Sequence, residues 1–341
     1  MKESPEMSCP TNFSYGFNFG SRFGLVCALG FVPLGGCGLD TAEEAPVVRS
    51  TTIDSDCSRW RCGYNTSEIN GKSLQELHLD GQDNADGVAI VGFLPPAGLL
   101  FDYELDVDGD ELVARGGLLG DQTLRGIELL GGTILVRIEA GLVVPVLIAG
   151  YEEVDSWATG ADPLAAYSLV YADLDDPLIE RSVCKGTLLD PLQASVVILA
   201  GERYDLDTKT VIANQDRWFT LACAGSAAAK MALMGYGPHA DFAGQGAPAS
   251  VEQRQATLKM ITADYCGDGT SYTVDGTPMH WENQAGTVVD PEPLGDLEAF
   301  WTGDGALCLD TPRLVDPSEV ACALPSCDAL SLDDGEWASY L

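Results

Sequence analysis

A chain of 341 residues that is 46% hydrophobic and only 21% charged has enough apolar content to bury a substantial core, which excludes general disorder. Its 18 basic side chains stand against 52 acidic ones, giving a formal charge of -34 spread along the whole sequence. A surface of that sign repels phosphate backbones and anionic headgroups, so nucleic acid is excluded as a partner; solubility, divalent cations and basic partners remain as readings.

The first recognisable element is an export segment. Arg22 precedes an apolar run from Phe23 to Val32, which Pro33 ends, and Leu34-Gly35-Gly36-Cys37 follows in the pattern of a lipobox. The run is too short to cross a hydrocarbon core of ~30 Å but suits a cleavable signal. The expectation is a lipoprotein signal peptide over residues 1–36, cleavage before Cys37, and lipidation of the Cys37 thiol as the attachment to a membrane. Gly38 and Leu39 follow in place of the Asp that retains some lipoproteins at the inner membrane, which points to the outer membrane. Residues 37–56 read as an acidic tether. Residues 1–36 hold two acids (Glu3, Glu6) and two bases (Lys2, Arg22), so the anchor contributes nothing to the net charge. The later apolar candidate, 134–149, is broken by Arg137, Glu139 and Pro145 and is no membrane span.

From Cys57 to about residue 175, apolar runs rich in Val, Ile, Leu and Tyr alternate with Gly and Asp turns: VAIVGF, LLFDYELDV, TILVRI, LVVPVLIAG and AYSLVYA. This is strand chemistry, and residues 57–175 read as a β-rich domain. Within it, Asp106 to Glu111 is an acidic turn with several oxygen ligands, but Gly117 stands where an EF-hand needs its bidentate acid. Solvated carboxylates are the expectation there. After residue 176 the strand SVVILAG leads to two helical candidates, 224–236 and 250–265. The second opens with Ser250 and Gln253 as a capping box and places Val251, Leu258, Ile261 and Tyr265 at helical spacing, with Gly267 just past its end. In His280-Trp281-Glu282, alternation puts Trp281 on the core side. The fold class expected is α+β, mainly β, with a disulfide-stapled domain over 176–341 that carries a helical hairpin and flanking strands.

The segment Ile261 to Asp275, ITADYCGDGTSYTVD, resembles the signature of the ADYC domain family, seen in exported proteins and lipoproteins of myxobacteria. Its motif residues here are Ala263, Asp264, Tyr265, Cys266, Gly267, Asp268 and Gly269. Similarity runs from Tyr167 to Arg313, through Gly201–Asp207, WFTLAC ending at Cys223, Lys230, Met234–Pro238 and EAFWTGDGALC ending at Cys308. The resemblance implies export and a disulfide framework and names no catalytic residue. It also implies a bridge in relatives where this chain has Met231 and Thr257.

Outside Cys9, Cys27 and Cys37 eight cysteines remain: Cys57, Cys62, Cys184, Cys223, Cys266, Cys308, Cys322 and Cys327. They contain no CxxC pair and no Cys/His zinc spacing, so four disulfides are expected, with no metal and no cofactor. An antiparallel hairpin joins the start of its first helix to the end of its second, which gives Cys223 with Cys266, in register with the bridge implied at 231 and 257. Cys57 with Cys62, Cys322 with Cys327 and Cys184 with Cys308 complete the expected set, out of about 105 connectivities open to eight cysteines. A rival reading makes Cys223 a thiol nucleophile at a helix N-terminus, served by His239, His280 and Asp264. His78 is the remaining histidine, and HExxH, GxSxG and P-loop patterns do not occur. The functional expectation is an exported, lipid-anchored envelope protein acting as a binding or structural surface module, the sequence not choosing between protein and glycan partners. The alternative is an envelope enzyme of unrecognised type, of which a cysteine-dependent hydrolase using Cys223 is one form.

Overall fold

The computed structural model describes residues 66–341, except 100, 139–140, 185–194, 206, 275 and 291–294. Cys37, Cys57 and Cys62, with the expected signal peptide and tether, lie outside the described residues. All described elements belong to one compact unit, Ser50–Leu341.

Strands come first in the chain. A small hairpin of β1 (Glu68–Ile69) and β2 (Lys72–Ser73) is followed by β3 (Glu76–His78) and β4 (Ala89–Leu94). A three-stranded meander, β5 (Tyr103–Val107), β6 (Leu112–Gly116) and β7 (Gln122–Arg125), precedes the long strands β8 (Thr133–Ile138), β9 (Leu142–Val154) and β10 (Leu164–Ala172). Then come β11 (Glu180–Ser182), β12 (Ser195–Ala200), the hairpin β13 (Glu202–Asp205) with β14 (Thr210–Ala213), and β15 (Trp218–Cys223). The main sheet is antiparallel, in the order β3-β15-β12-β10-β9-β8-β4, with β11 also on β10. Its outer strands β3 and β4 are consecutive in sequence and touch each other, so the sheet curls back on itself.

The apolar runs form strands because both faces of this sheet are covered. In β12, Val196, Ile198 and Ala200 enter a core shared with Leu105 and Leu112 of the meander, while Val197 and Leu199 enter a second core with the helices. Burial on both sides is why SVVILA shows no polar alternation. The sheet also takes β3, β4, β8, β9 and β10 from before residue 176 and β11, β12 and β15 from after it. The composition shift at residue 176 is thus not a break in the fold: it marks where helices begin to cover the outer face.

The first helical candidate is shorter than expected. α1 (Ala227–Met231) is capped by Ser226, whose hydroxyl accepts from the Ala229 N–H, and passes into a wide turn, Ala232–Tyr236, that ends where Gly235 takes φ 80°. α2 (Val251–Thr262) has the expected Ser250/Gln253 capping box and stops at Ala263, which takes the left-handed φ of 50°. A four-stranded sheet completes the fold, with β16 (His280–Asn283), β17 (Leu297–Thr302), β18 (Gly305–Leu309) and β19 (Trp337–Tyr340) in the order β16-β19-β17-β18. Trp301 and Trp337 from this sheet pack with Leu258 and Met260 of α2 in the second core, as does Trp281. Among the described residues the outcome is mainly β with two α-helices, consistent with the α+β class. Among the described residues no helix is long and apolar enough to cross a membrane.

The disulfide pairing differs from the expected one. The bonds are Cys184–Cys223, Cys266–Cys322 and Cys308–Cys327, which replaces the pairs expected for Cys223 with Cys266, Cys322 with Cys327 and Cys184 with Cys308. The reason is strand alternation. Cys223 is the last residue of β15, not the first of a helix, and points into the core shared with the meander, whereas its neighbours Ala222 and Ala224 point to the helices. Cys266 packs against that helical core, on the other face of the sheet. It meets Cys322 because the loop after α2 runs beside the C-terminal segment, where the Ala321 N–H donates to the Tyr272 hydroxyl at 3.0 Å. Cys308 and Cys327 close a third, smaller core under β17 and β19.

Candidate functional site

The motif at the end of α2 is built from buried charge. Lys259, in the last turn, donates to Asp264 Oδ2 (2.6 Å), Thr208 O (2.6 Å) and Gly267 O (3.1 Å), using all three ammonium protons. The two side chains are 1% and 0% exposed, and Asp264 Oδ2 also accepts from the Gly269 N–H. Tyr265 donates to Glu298 Oε1 at 2.5 Å; burial, then the Glu298 carboxylate, push its phenol well up from the usual range. Glu298 is bound in turn by Arg313 Nε (2.8 Å) and the Ser339 hydroxyl (2.6 Å). The same Arg313 donates to the carbonyls of Ile261 and Met260, the open C-terminal end of α2. Gly267 and Gly269 have positive φ, and a Cβ on either would run into the carbonyl oxygens of Asp304 or Asp207. The Ala263–Gly269 motif therefore ends a helix, seats a buried ion pair and ties the loop after α2 to the connection between β18 and β19 through Cys266–Cys322. Its residues are committed to the fold.

A further buried pair leads towards a cleft. Arg254 of α2 donates to Glu202 Oε2 through Nε (3.0 Å) and Nη2 (2.7 Å), and the Tyr204 hydroxyl donates to the other oxygen. Burial raises the Glu202 pKa against the pull of these partners. Beyond it, Asp110 in the β5–β6 turn accepts from the Ala200 N–H (3.1 Å), the His239 N–H (3.1 Å) and lies 3.0 Å from His239 Nδ1. This carboxylate fixes the orientation of the imidazole and raises its pKa above the ordinary histidine value, with burial opposing.

His239 and Asp110 line an open cleft of about 800 Å³. Arg125, Glu128, Tyr151, Glu153, Ser156 and Asp162 also line it. Arg125 is held by Asp108 at 2.8 Å and Glu111 at 3.2 Å, so its charge is balanced within the wall. The cleft thus presents an oriented imidazole, a tyrosine ring and an excess of carboxylates. Chemically it can bind a polar solute and exchange a proton with it.

The residues suggested by sequence are dispersed. Cys223 is fully buried in a disulfide with Cys184, which removes the thiol and overturns the cysteine-hydrolase reading. Asp264 is paired with Lys259, and His280 lies on β16, 3.5 Å from Asp290. Trp281 is buried as alternation requires, with His280 and Glu282 on the other face. In the acidic turn, Asp106 is bound by Arg115 (2.8 Å) and Arg217 (3.1 Å), so arginines and not solvent alone neutralise it. His78 is buried against the edge of Trp218, and burial lowers its pKa. Met231 and Thr257 are both fully buried, the Thr257 hydroxyl accepting from Trp337 Nε1 at 2.8 Å. Among the described residues no group of three or more His, Cys, Asp or Glu is arranged to hold a metal ion. The pairing of Asp110 with His239 was missed because the partners lie 129 residues apart and no local pattern links them.

No curated protein and no solved structure matches the chain. The ADYC domain matches residues 126–315, starting upstream of Tyr167 and covering strands of the main sheet, both helices and the motif. That span is more than half of the 341 residues, and the chain belongs to the ADYC domain family.

Proposed function

We propose that the protein is exported, held at the outer membrane by lipid on Cys37, and acts there as a binding module whose ligand site is the His239 cleft. Export is supported by three disulfides among the described residues, since such bonds persist in oxidising compartments, and by Leu34-Gly35-Gly36-Cys37 after an apolar run. The observation that carries the binding reading is the cleft itself. Its volume of about 800 Å³ lies in the range of small-molecule sites, and strand residues Arg125, Tyr151 and Glu153 contribute to its lining. Fractionation of cells with wild-type and Cys37→Ser protein tests the anchor: the wild type goes with the membrane and the variant does not. A variant that stays membrane-bound contradicts it. For the cleft, thermal shift against a library of polar solutes is read with wild type and His239→Ala; a stabilising solute whose effect is unchanged in the variant contradicts the assignment. An envelope enzyme is the second reading, favoured by Asp110 orienting His239 as a proton acceptor in that cleft.

A further inference from the structure

Two turns at one end of the β5-β6-β7 sheet carry apolar side chains where turn chemistry favours polar ones. Gly120 N–H donates to Gly117 O at 3.1 Å, so Leu118 and Leu119 occupy the corners of a β-turn and are 70% and 82% exposed. In the β4–β5 connection, Leu99 N–H donates to Pro96 O at 3.4 Å, and Leu94, Leu99 and Phe101 are 52%, 40% and 41% exposed. The two turns stand side by side. Tyr103 pairs with Gly116 in the β5–β6 ladder, and the Gly117 N–H extends that ladder to Asp102 O at 3.2 Å.

Residues 94–101 and 116–120 contain no charged residue, whereas Asp102 and Asp121 stand exposed at the base of each turn. A turn corner is convex, and these corners offer neither a groove nor a hydrogen-bonding side chain to a protein partner. They fit acyl chains. The carboxylates at their base repel anionic headgroups and tolerate zwitterionic ones. We propose that the two turns dip into the interfacial layer of a zwitterionic bilayer and seat the folded unit on it. The inference rests on the lipid-anchored reading, which keeps the turns within reach of the bilayer. Residues 38–65 separate the anchor from the first described residue and span at most about 100 Å when extended.

The test is hydrogen exchange of the full chain with and without phosphatidylcholine vesicles, repeated with phosphatidylglycerol and with L118D/L119D. Any vesicle binding through the N-terminal segment is common to both proteins, so exchange at the turns is the deciding signal. Expected is slowing of about threefold or more at amides 98–103 and 116–121 in phosphatidylcholine, weaker slowing in phosphatidylglycerol, and none in the variant. Both substitutions are at exposed corners, so an unchanged melting temperature shows that the variant is folded. Unchanged exchange at the turns of a vesicle-bound wild type overturns the proposal. So does protection that grows with protein concentration without lipid, which makes a second copy the occupant. Mass analysis of the mature N-terminus reports separately on the anchor, and its failure leaves the vesicle result readable.

Discussion

Replacing Lys259 by Met tests whether the family motif holds the fold through buried charge. The substitution keeps the length of the side chain and removes the ammonium, leaving the Asp264 carboxylate at 0% exposure with the Gly269 N–H as its hydrogen bond donor and two carbonyls, Thr208 O and Gly267 O, without the Lys259 protons. Breaking a buried pair from one side destabilises by about 3–5 kcal/mol, against under ~1 kcal/mol for an exposed pair. In urea, at a slope of about 3 kcal/mol/M, the midpoint falls by about 1–2 M. Adding Asp264→Leu removes the stranded charge, so the double variant is more stable than the sum of the single effects by about 1–3 kcal/mol. The assay is equilibrium unfolding at pH 7 with the disulfides intact, followed by circular dichroism and tryptophan fluorescence. A loss below ~1 kcal/mol for Lys259→Met, with additive effects in the double variant, would refute the reasoning.

Removing one bridge by Cys266→Ala with Cys322→Ala opens a loop of sequence separation 56 and destabilises by about 4 kcal/mol in the chain-entropy treatment, read as a lowered melting temperature; an unchanged melt contradicts this. Gly269→Ala forces a side chain into a positive-φ position against the Asp207 carbonyl and destabilises by more than about 1 kcal/mol, measured by urea unfolding. Asp110→Asn lowers the pKa of His239, followed as the imidazole proton shift in an NMR titration, because the carboxylate is the largest cause of its rise. In the wild type that raised pKa adds stability that is fully present below the unfolded value of about 6.5 and is lost as pH rises through the folded value. An unshifted His239 in Asp110→Asn shows that the carboxylate does not set its charge.

The strands were legible because they are continuous apolar runs: TILVRI is β8 residue for residue, and SVVILA is β12. The second helix was legible from its ends, Ser250 and Gln253 at the start and the glycine beyond its stop, more than from its face. Val251, expected inside, is 38% exposed, while Arg254, Thr257 and Lys259 are buried. Their polarity hid the buried face, since burial there depends on Glu202, Trp337 and Asp264, partners that a helical period does not reveal. The disulfides failed for a similar reason. Hairpin register assumed that Cys223 starts a helix, and a strand ending one turn earlier sends its side chain through the opposite face of the sheet. Composition located the change near residue 176, but a sheet assembled from both sides of that point has no signature in composition. Of the cleft, the sequence displayed His239 and the acidic turn separately; only the tertiary fold brings them together.

The most direct test of the account is mass spectrometry of a non-reduced proteolytic digest of the native protein. The account predicts an N-terminal peptide that begins at an acylated Cys37, and cross-linked peptides joining Cys266 to Cys322, Cys184 to Cys223 and Cys308 to Cys327. An unmodified Cys37 within an uncleaved chain, with Cys266 recovered as a free thiol or joined to Cys223, would contradict it.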